Sequence, residues 1–453
     1  RLDLRSRCTA CFVAAAGLIR LATVWRQAAR TTRQIFSARI LDFESPLCLP
    51  GKSSGSAGFC STIADKETSM DSVRLGIVGT GNMGGNHARQ VLEGKVPGLT
   101  LSALCDINPK RFEAFVEHQL PTFTSAEALL TSGTVDAVMV ATPHYAHTTI
   151  GIQVLEAGLH LLVEKPICVH KADCEKLIAA HTDPAVVFSA MFNQRTDPSY
   201  QWLRERIEGG ELGPLQRINW IMTGWFRTES YYQSGDWRAT WRGEGGGVLV
   251  NQCPHQLDLW QWLFGMPSSV RAFCKLGQFH DIEVEDNVTA YMEYENGCTG
   301  VFITTTGEAP GANRLEVVGD LGTVVIEHGK VTWRKCETSV SEHSRTSSKG
   351  FEKPSTETVP VIIEGTGEQH TGIMKNFAAA ILHGEPLLAP AVEGKASVEL
   401  GNTMLYSAAI NDTVQLPLDA AKYAELLESR IATSRYVKSA DPAEVATDFS
   451  NSF

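Results

Sequence analysis

The chain has 453 residues, 43% of them apolar and 20% charged, the make-up of an ordinary soluble globular protein long enough for two domains. A formal net charge of −11, with no basic helix and no aromatic–basic stripe, excludes a nucleic-acid surface. No apolar run reaches the ~18 residues that cross a bilayer, so no membrane partner is expected.

The 11 cysteines are scattered singly, which predicts reduced buried thiols rather than a disulfide framework. Their close pair, Cys8 and Cys11, lacks a βαβ context, and no metal site is expected. Residues 1–69 differ from the rest: they are rich in Arg and Ser, poor in acids, and carry an apolar patch at 11–19. That composition suits a transit-like leader. The patch with its flanking arginines also suits a secretory signal. Met70 lies just ahead of the first predicted strand, so an overextended translation is the third reading. A disordered extension is expected. The expected location is cytoplasmic, or mitochondrial or another organelle if the extension is a genuine transit peptide.

From residue 70 to 192 predicted strands and helices alternate. Apolar runs fall at 75–78, 99–104, 137–141, 160–163 and 186–188, with helical segments between them. Such alternation predicts a parallel sheet covered on both faces, with ligands beyond the carboxyl ends of its strands. The first run ends in Gly79-Thr80-Gly81-Asn82-Met83-Gly84 and a helix start, the context of a dinucleotide-binding fingerprint. Gly79 permits a tight turn, Gly81 lets a pyrophosphate approach the backbone near Asn82 and Met83, and Gly84 lets helix and strand pack closely. The helix N-terminus offers N–H groups to phosphate. The second strand ends at Asp106, placed to accept hydrogen bonds from a ribose.

Two later strand ends carry chemistry. One is Thr142-Pro143-His144 followed by His147, where Thr142 offers a hydroxyl, Pro143 fixes the turn and His147 joins the cofactor side. The other is Glu164-Lys165-Pro166, which points a cationic donor into the cleft beside a proline that tolerates a cis bond.

After residue 192 strands dominate, from 215–226 to 331–335, many alternating apolar and polar residues. That is an antiparallel sheet with one covered face. The polar stretch 339–358 is expected to be a mobile loop, and helices return at 370–382, 393–411 and 420–432. Tyr232, Trp237 and Arg238 cluster with other aromatic and arginine residues in an expected loop that suits a polyol. A glycine run then leads to Asn251, His255 and Asp258, which helical spacing places on one face. The glycines are expected to admit substrate, and His255 is the natural general base.

With these motifs the chain resembles the glucose–fructose oxidoreductase/inositol dehydrogenase/rhizopine-catabolism (Gfo/Idh/MocA) family from about residue 73 to 418. The resemblance rests on GIVGTGNMG, ATPHYAHTTIGIQVLEAGLHLLVEKP, EGGGVLVNQCPHQLDLWQWLFG and EDNVTAYMEYENGCTG. It implies an α/β protein with a Rossmann dinucleotide-binding domain over 70–192. A C-terminal α/β substrate and oligomerisation domain with an open, mostly antiparallel sheet follows over 193–436, and then a tail over 437–453. It implies NAD, with NADP possible, and hydride transfer at a secondary alcohol of a sugar, sugar derivative or cyclitol. A homodimer or homotetramer formed through the C-terminal sheet is also implied. By resemblance Lys165 orients the reacting hydroxyl and His255 is the acid/base. Where the family's pattern usually has aspartate, this chain has Asn251, so Asp258 is the candidate replacement carboxylate, and Asn251 and His255 join the substrate set. Relatives that cleave glycosides through a transient keto sugar, and non-catalytic NAD(P)-binding regulators, are the alternative readings.

Overall fold

The computed structural model describes residues 72–438. The expectations for the N-terminal extension, and for the tail from 439 onward, lie outside the described residues. Six strands form the first sheet: β1 (Val73–Val78), β2 (Leu99–Cys105), β3 (Thr122–Phe123), β4 (Ala137–Val140), β5 (His160–Val163) and β6 (Phe188–Ala190). They are parallel throughout and ordered β3-β2-β1-β4-β5-β6. All of β4 is buried, as a strand covered on both faces requires. The order reverses between β1 and β4, and a crevice opens at the carboxyl ends of those two strands.

The second sheet has nine strands: β7 (Leu215–Met222), β8 (Ser269–Leu276), β9 (Glu285–Glu293), β10 (Thr299–Thr305), β11 (Asn313–Gly319), β12 (Gly322–Glu327), β13 (Lys330–Cys336), β14 (Thr356–Val359) and β15 (Val414–Gln415). It is antiparallel except where β10 runs parallel to β7. Along β9 buried and exposed residues alternate from Val288 to Glu293, so one face meets the core and the other stays open. The core face packs the Pro254–Phe264 and Gly394–Ile410 helices, with Trp220, Trp260 and Phe302 fully buried between them.

Residues 339–358 are more structured than expected. They hold a helix, Val340–Thr346, and the edge strand β14, which pairs with β13. The helix buries no side chain, so apolar spacing gives no sign of it. Its start is fixed instead by polar groups: Ser339 Oγ accepts from the Glu342 amide at 3.2 Å, and Asp320 accepts from the Ser341 amide at 2.9 Å.

The chain also folds back. Ile373, Met374, Phe377 and Ala378, from the Gln369–His383 helix, complete the apolar cluster of the first sheet. Buried Lys171 binds Glu399 at 2.8 Å and the Leu418 carbonyl at 2.6 Å, fastening that end of the chain to the Lys171–Ala180 helix. The seven described cysteines are free thiols. Among the described residues, no helix is long and apolar enough to cross a membrane, and no group of three or more side chains is placed to hold a metal ion.

Candidate functional site at the carboxyl ends of the first sheet

The turn after β1 lies at the point where the strand order reverses. Gly79 has φ +91°, and a Cβ there would press on the Ala141 carbonyl 2.6 Å away. A Cβ on Gly84 would strike the Gly79 carbonyl, so the Asn82–Leu92 helix approaches the turn only because Gly84 lacks one. Gly81 differs: a Cβ there would meet nothing within 4 Å. It is the N-cap of that helix and makes no side-chain cap bond, so the first-turn N–H groups of Asn82 and Met83 face the same opening. Asp106 sits beside it, its carboxylate accepting from the Thr80 amide at 2.8 Å and the Thr80 hydroxyl at 3.1 Å. The buried Thr142 hydroxyl, at the end of β4, has no hydrogen-bond partner, and Pro143 caps the helix that follows. An open cradle, helix amides and a waiting hydroxyl fit a dinucleotide pyrophosphate and its ribose.

Two residues expected on the cofactor side are instead internal braces. His147 is buried, with its Nδ1 2.8 Å from the Pro166 carbonyl and its Nε2 2.8 Å from the Thr142 carbonyl. It ties the two strand-end turns together, because the helix that carries it turns it inward. Glu164 is buried too, 2.7 Å from His87 on the glycine-turn helix, and accepts from the Lys165 amide at 3.0 Å. Burial opposes its ionisation, but the His87 hydrogen bond and charge outweigh that and hold its carboxyl down at about 2.

Lys165, on the cis Lys165–Pro166 turn, reaches across to the second domain and donates to the Asn251 carbonyl at 2.9 Å. Asn251 does not lie on the helix with His255, since that helix begins at Pro254 and Asn251 belongs to the turn before it. Its amide is held on both sides: Nδ2 donates to Glu244, and Oδ1 accepts from the Tyr231 hydroxyl at 3.4 Å. Arg238 donates to that hydroxyl at 2.9 Å, and its guanidinium lies 4.7 Å from the centre of the Trp237 ring. Trp237 in turn sits edge-on to His144, 5.5 Å between centres. The structure therefore brings Lys165, Asn251, Trp237 and Arg238 together. It also brings in Tyr231, from the same aromatic and arginine stretch, and His144, from the turn after β4, and it adds Glu244, which the sequence did not single out.

Burial lowers the Lys165 pKa; the charges of Glu164 and Glu244 oppose this, and those of Arg238 and Arg227 reinforce it. Burial, with the charges of Lys165 and His370, pushes His255 well below its usual range and keeps it neutral. A neutral imidazole near a cationic amine can accept a proton while the amine supplies hydrogen bonds.

Three other expectations are corrected. Asp258 is buried and committed to Arg195, whose guanidinium it receives at 2.6 and 2.8 Å. Helical spacing does not bring its carboxylate to the cluster, because a partner from another helix captures it. Tyr232 packs into the core with its hydroxyl on Thr306 at 2.7 Å, and its neighbour Tyr231 faces Asn251 instead. The glycine run 245–247 opens no passage: it is buried and wraps the Glu285 carboxylate, which accepts from the Gly247 amide at 2.8 Å and the Leu249 amide at 3.0 Å.

The family model described as "Oxidoreductase family, NAD-binding Rossmann fold" matches residues 73–192, and that of the "GFO/IDH/MocA C-terminal domain" matches 200–325. Inositol 2-dehydrogenase 1 of Saccharopolyspora erythraea is 32% identical over 274 residues, covering 56% of this chain and 73% of its own. Inositol 2-dehydrogenase of Corynebacterium glutamicum is 26% identical over 308 residues, covering 65% of this chain and 87% of its own. The WlbA dehydrogenase of Chromobacterium violaceum, solved with NADH and UDP-GlcNAcA, superposes with a TM-score of 0.67 at 25% identity, over 77% of this chain and 97% of that one.

Proposed function

The chain belongs to the Gfo/Idh/MocA family of NAD-binding oxidoreductases, and from that premise we propose that it moves a hydride between NAD and a secondary alcohol or ketone of a sugar, sugar derivative or cyclitol. The observation that carries this reading is Lys165 reaching from the end of β5 to Asn251, so that an ammonium group stands between the dinucleotide cradle and the polar cluster of the second domain. The relatives named as inositol dehydrogenases, and the complex of the WlbA dehydrogenase with NADH and UDP-GlcNAcA, support the substrate class and the cofactor.

Gly79, Gly81, Asn82, Met83 and Gly84 would hold the pyrophosphate, Asp106 the ribose, and Thr142 and Pro143 the nicotinamide side. Asp106 would repel a 2′-phosphate, which favours NAD over NADP. When bound, the nicotinamide supplies the acceptor or donor of the hydride. Lys165 spends one N–H on Asn251 and keeps donors for the reacting oxygen, whose developing negative charge it stabilises. His255, neutral and buried, takes the hydroxyl proton. Tyr231, Trp237 and Arg238 offer ring faces and a guanidinium to the remaining hydroxyls.

The open face of the second sheet aligns Ile221, Ile303 and Thr289 with Phe273 in one cross-strand row, with Ile221 and Phe273 exposed. We read this as the surface through which subunits pair. Sedimentation as a monomer at micromolar concentration would overturn that reading.

The functional test is absorbance at the reduced-nicotinamide band after mixing protein, NAD and a panel of sugars and cyclitols. Substrate-dependent reduction is expected. In Lys165→Ala the rate should fall by about 100- to 10,000-fold with dinucleotide binding retained. A protein that binds no dinucleotide, or a Lys165→Ala variant with full activity, would overturn the proposal.

A further inference from the structure

Lys165 stands in a cationic neighbourhood. Arg238 and Arg227 face it from the second domain and oppose its charge. Two carboxylates support it: Glu164, which is also bonded to His87, and Glu244, which stands on the side of the second domain beside Asn251. Glu244 is 2% exposed, and its two oxygens receive the Ala239 amide at 2.6 Å and the Asn251 Nδ2. Both partners are donors, a pairing that suits an ionised carboxylate. Asn251 is thus gripped from two directions, by Glu244 at its side-chain amide and by Lys165 at its carbonyl.

We propose that Glu244 is a positioning residue of this site: its carboxylate fixes the Asn251 amide and, with Glu164, serves as a buried counter-charge to Lys165 beside the substrate oxygen. The inference rests on the role given to Lys165 above. Asn251 carries no charge of its own and meets Lys165 through its main-chain carbonyl, so it cannot balance the ammonium. Glu244 supplies a negative charge from seven residues upstream.

Other titrating groups share the space. His144 is held neutral by burial and by the charges of His147 and Lys165. His147, His255 and His370 are likewise depressed chiefly by burial, with Lys165 contributing, and Cys253 is pushed up to about 12. None of these is negative near neutral pH; Glu164, on the side of the first sheet, is the other negative group that supports Lys165. Burial raises the Glu244 pKa above the usual carboxylate value; the charges of Arg238 and Lys438 and the hydrogen bonds from Ala239 and Asn251 oppose this and favour the ionised form, while Glu285 and Tyr232 feel its charge.

The test follows the titration of Lys165 in the full chain, by competitive acetylation with acetic anhydride across pH and mass spectrometry of the peptide that carries it. Glu244→Gln removes a negative charge, so the Lys165 midpoint should move to lower pH by about one unit or more. The alkaline limb of kcat should move in the same direction, and NADH binding should persist. The exchange variant, Glu244→Gln with Asn251→Asp, returns one carboxylate to the pair and should restore the midpoint. An unmoved midpoint in Glu244→Gln overturns the proposal, as does an exchange variant no better than Glu244→Gln. If Glu244→Gln fails to fold, the exchange variant decides alone: a midpoint like that of the wild type supports the proposal and a lowered one overturns it. A shifted midpoint in a protein that oxidises no polyol would sink the substrate reading and leave the charge pairing standing. An unmoved midpoint in an active enzyme would sink the pairing alone.

Discussion

At Gly81 an added Cβ would meet nothing within 4 Å, whereas at Gly247 it would press on the Glu285 carbonyl. Both glycines sit in runs of their kind, and both runs precede a helix. The first run shapes its backbone around a space that the protein does not fill. The second shapes its backbone around the protein's own carboxylate, with amides from Gly247 and Leu249 closing on Glu285. Missing side chains allow close approach in both places; what approaches differs. The mark of a ligand cradle is therefore empty space beside a helix N-terminus, and a glycine run alone does not establish it.

The largest effect that separates the two runs should come from Gly247→Ala. Its Cβ meets backbone, which cannot swing aside as a flexible side chain would, so the strain must spread into the buried turn. A loss of at least about 3 kcal/mol is expected, read as a lower denaturant midpoint with the slope unchanged. A Gly247→Ala protein as stable as the wild type would dissolve the comparison.

Glu285 gives the second effect. Burial outweighs its two amide hydrogen bonds and lifts its pKa from 4.5 to about 7. The folded state then binds a proton that the unfolded state has lost, between about pH 4.5 and 7. Stability from this group is therefore greatest at the acid end and falls as pH rises through that window, by about 3 kcal/mol in all. Glu285→Gln removes the titration. Urea unfolding at pH 5, 6 and 7 should show a flatter pH dependence in the variant than in the wild type, whatever the cost of placing an amide against two N–H donors. Identical slopes would mean that the carboxylate is not confined as described.

The sequence displays what is local. The strands of the first sheet are buried on both faces and read as plain apolar runs; β9 is covered on one face and reads as an alternation. The Val340–Thr346 helix is illegible because it buries nothing and is fixed by Asp320 and Ser339. In the site, Gly79, Gly81 and Lys165 are legible because each stands at a strand end with turn residues beside it. Asp258 misleads because spacing reveals a shared helix face but not Arg195, a partner 63 residues away. Glu244 goes unnoticed for a related reason. An acid beside a glycine run looks like a solvated turn until folding brings it onto Asn251.

The smallest effect on stability, and the sharpest test of the cradle, is Gly81→Ala. Gly81 has φ −65°, outside the left-handed region that favours glycine, a Cβ there meets nothing within 4 Å, and it makes no side-chain cap bond that could be lost. The free protein should therefore melt within about 0.5 kcal/mol of the wild type. The new methyl group would occupy the space in front of the Asn82 and Met83 amides. The NADH dissociation constant, measured by fluorescence titration, should rise about tenfold or more, about 1.4 kcal/mol of lost binding. Gly81→Ala and Gly247→Ala would then fail in opposite ways, one folded and poor at binding, the other poorly folded. A Gly81→Ala protein that binds NADH like the wild type would show that the empty space is not where the pyrophosphate lies, and the contrast between the two runs would become one of packing alone.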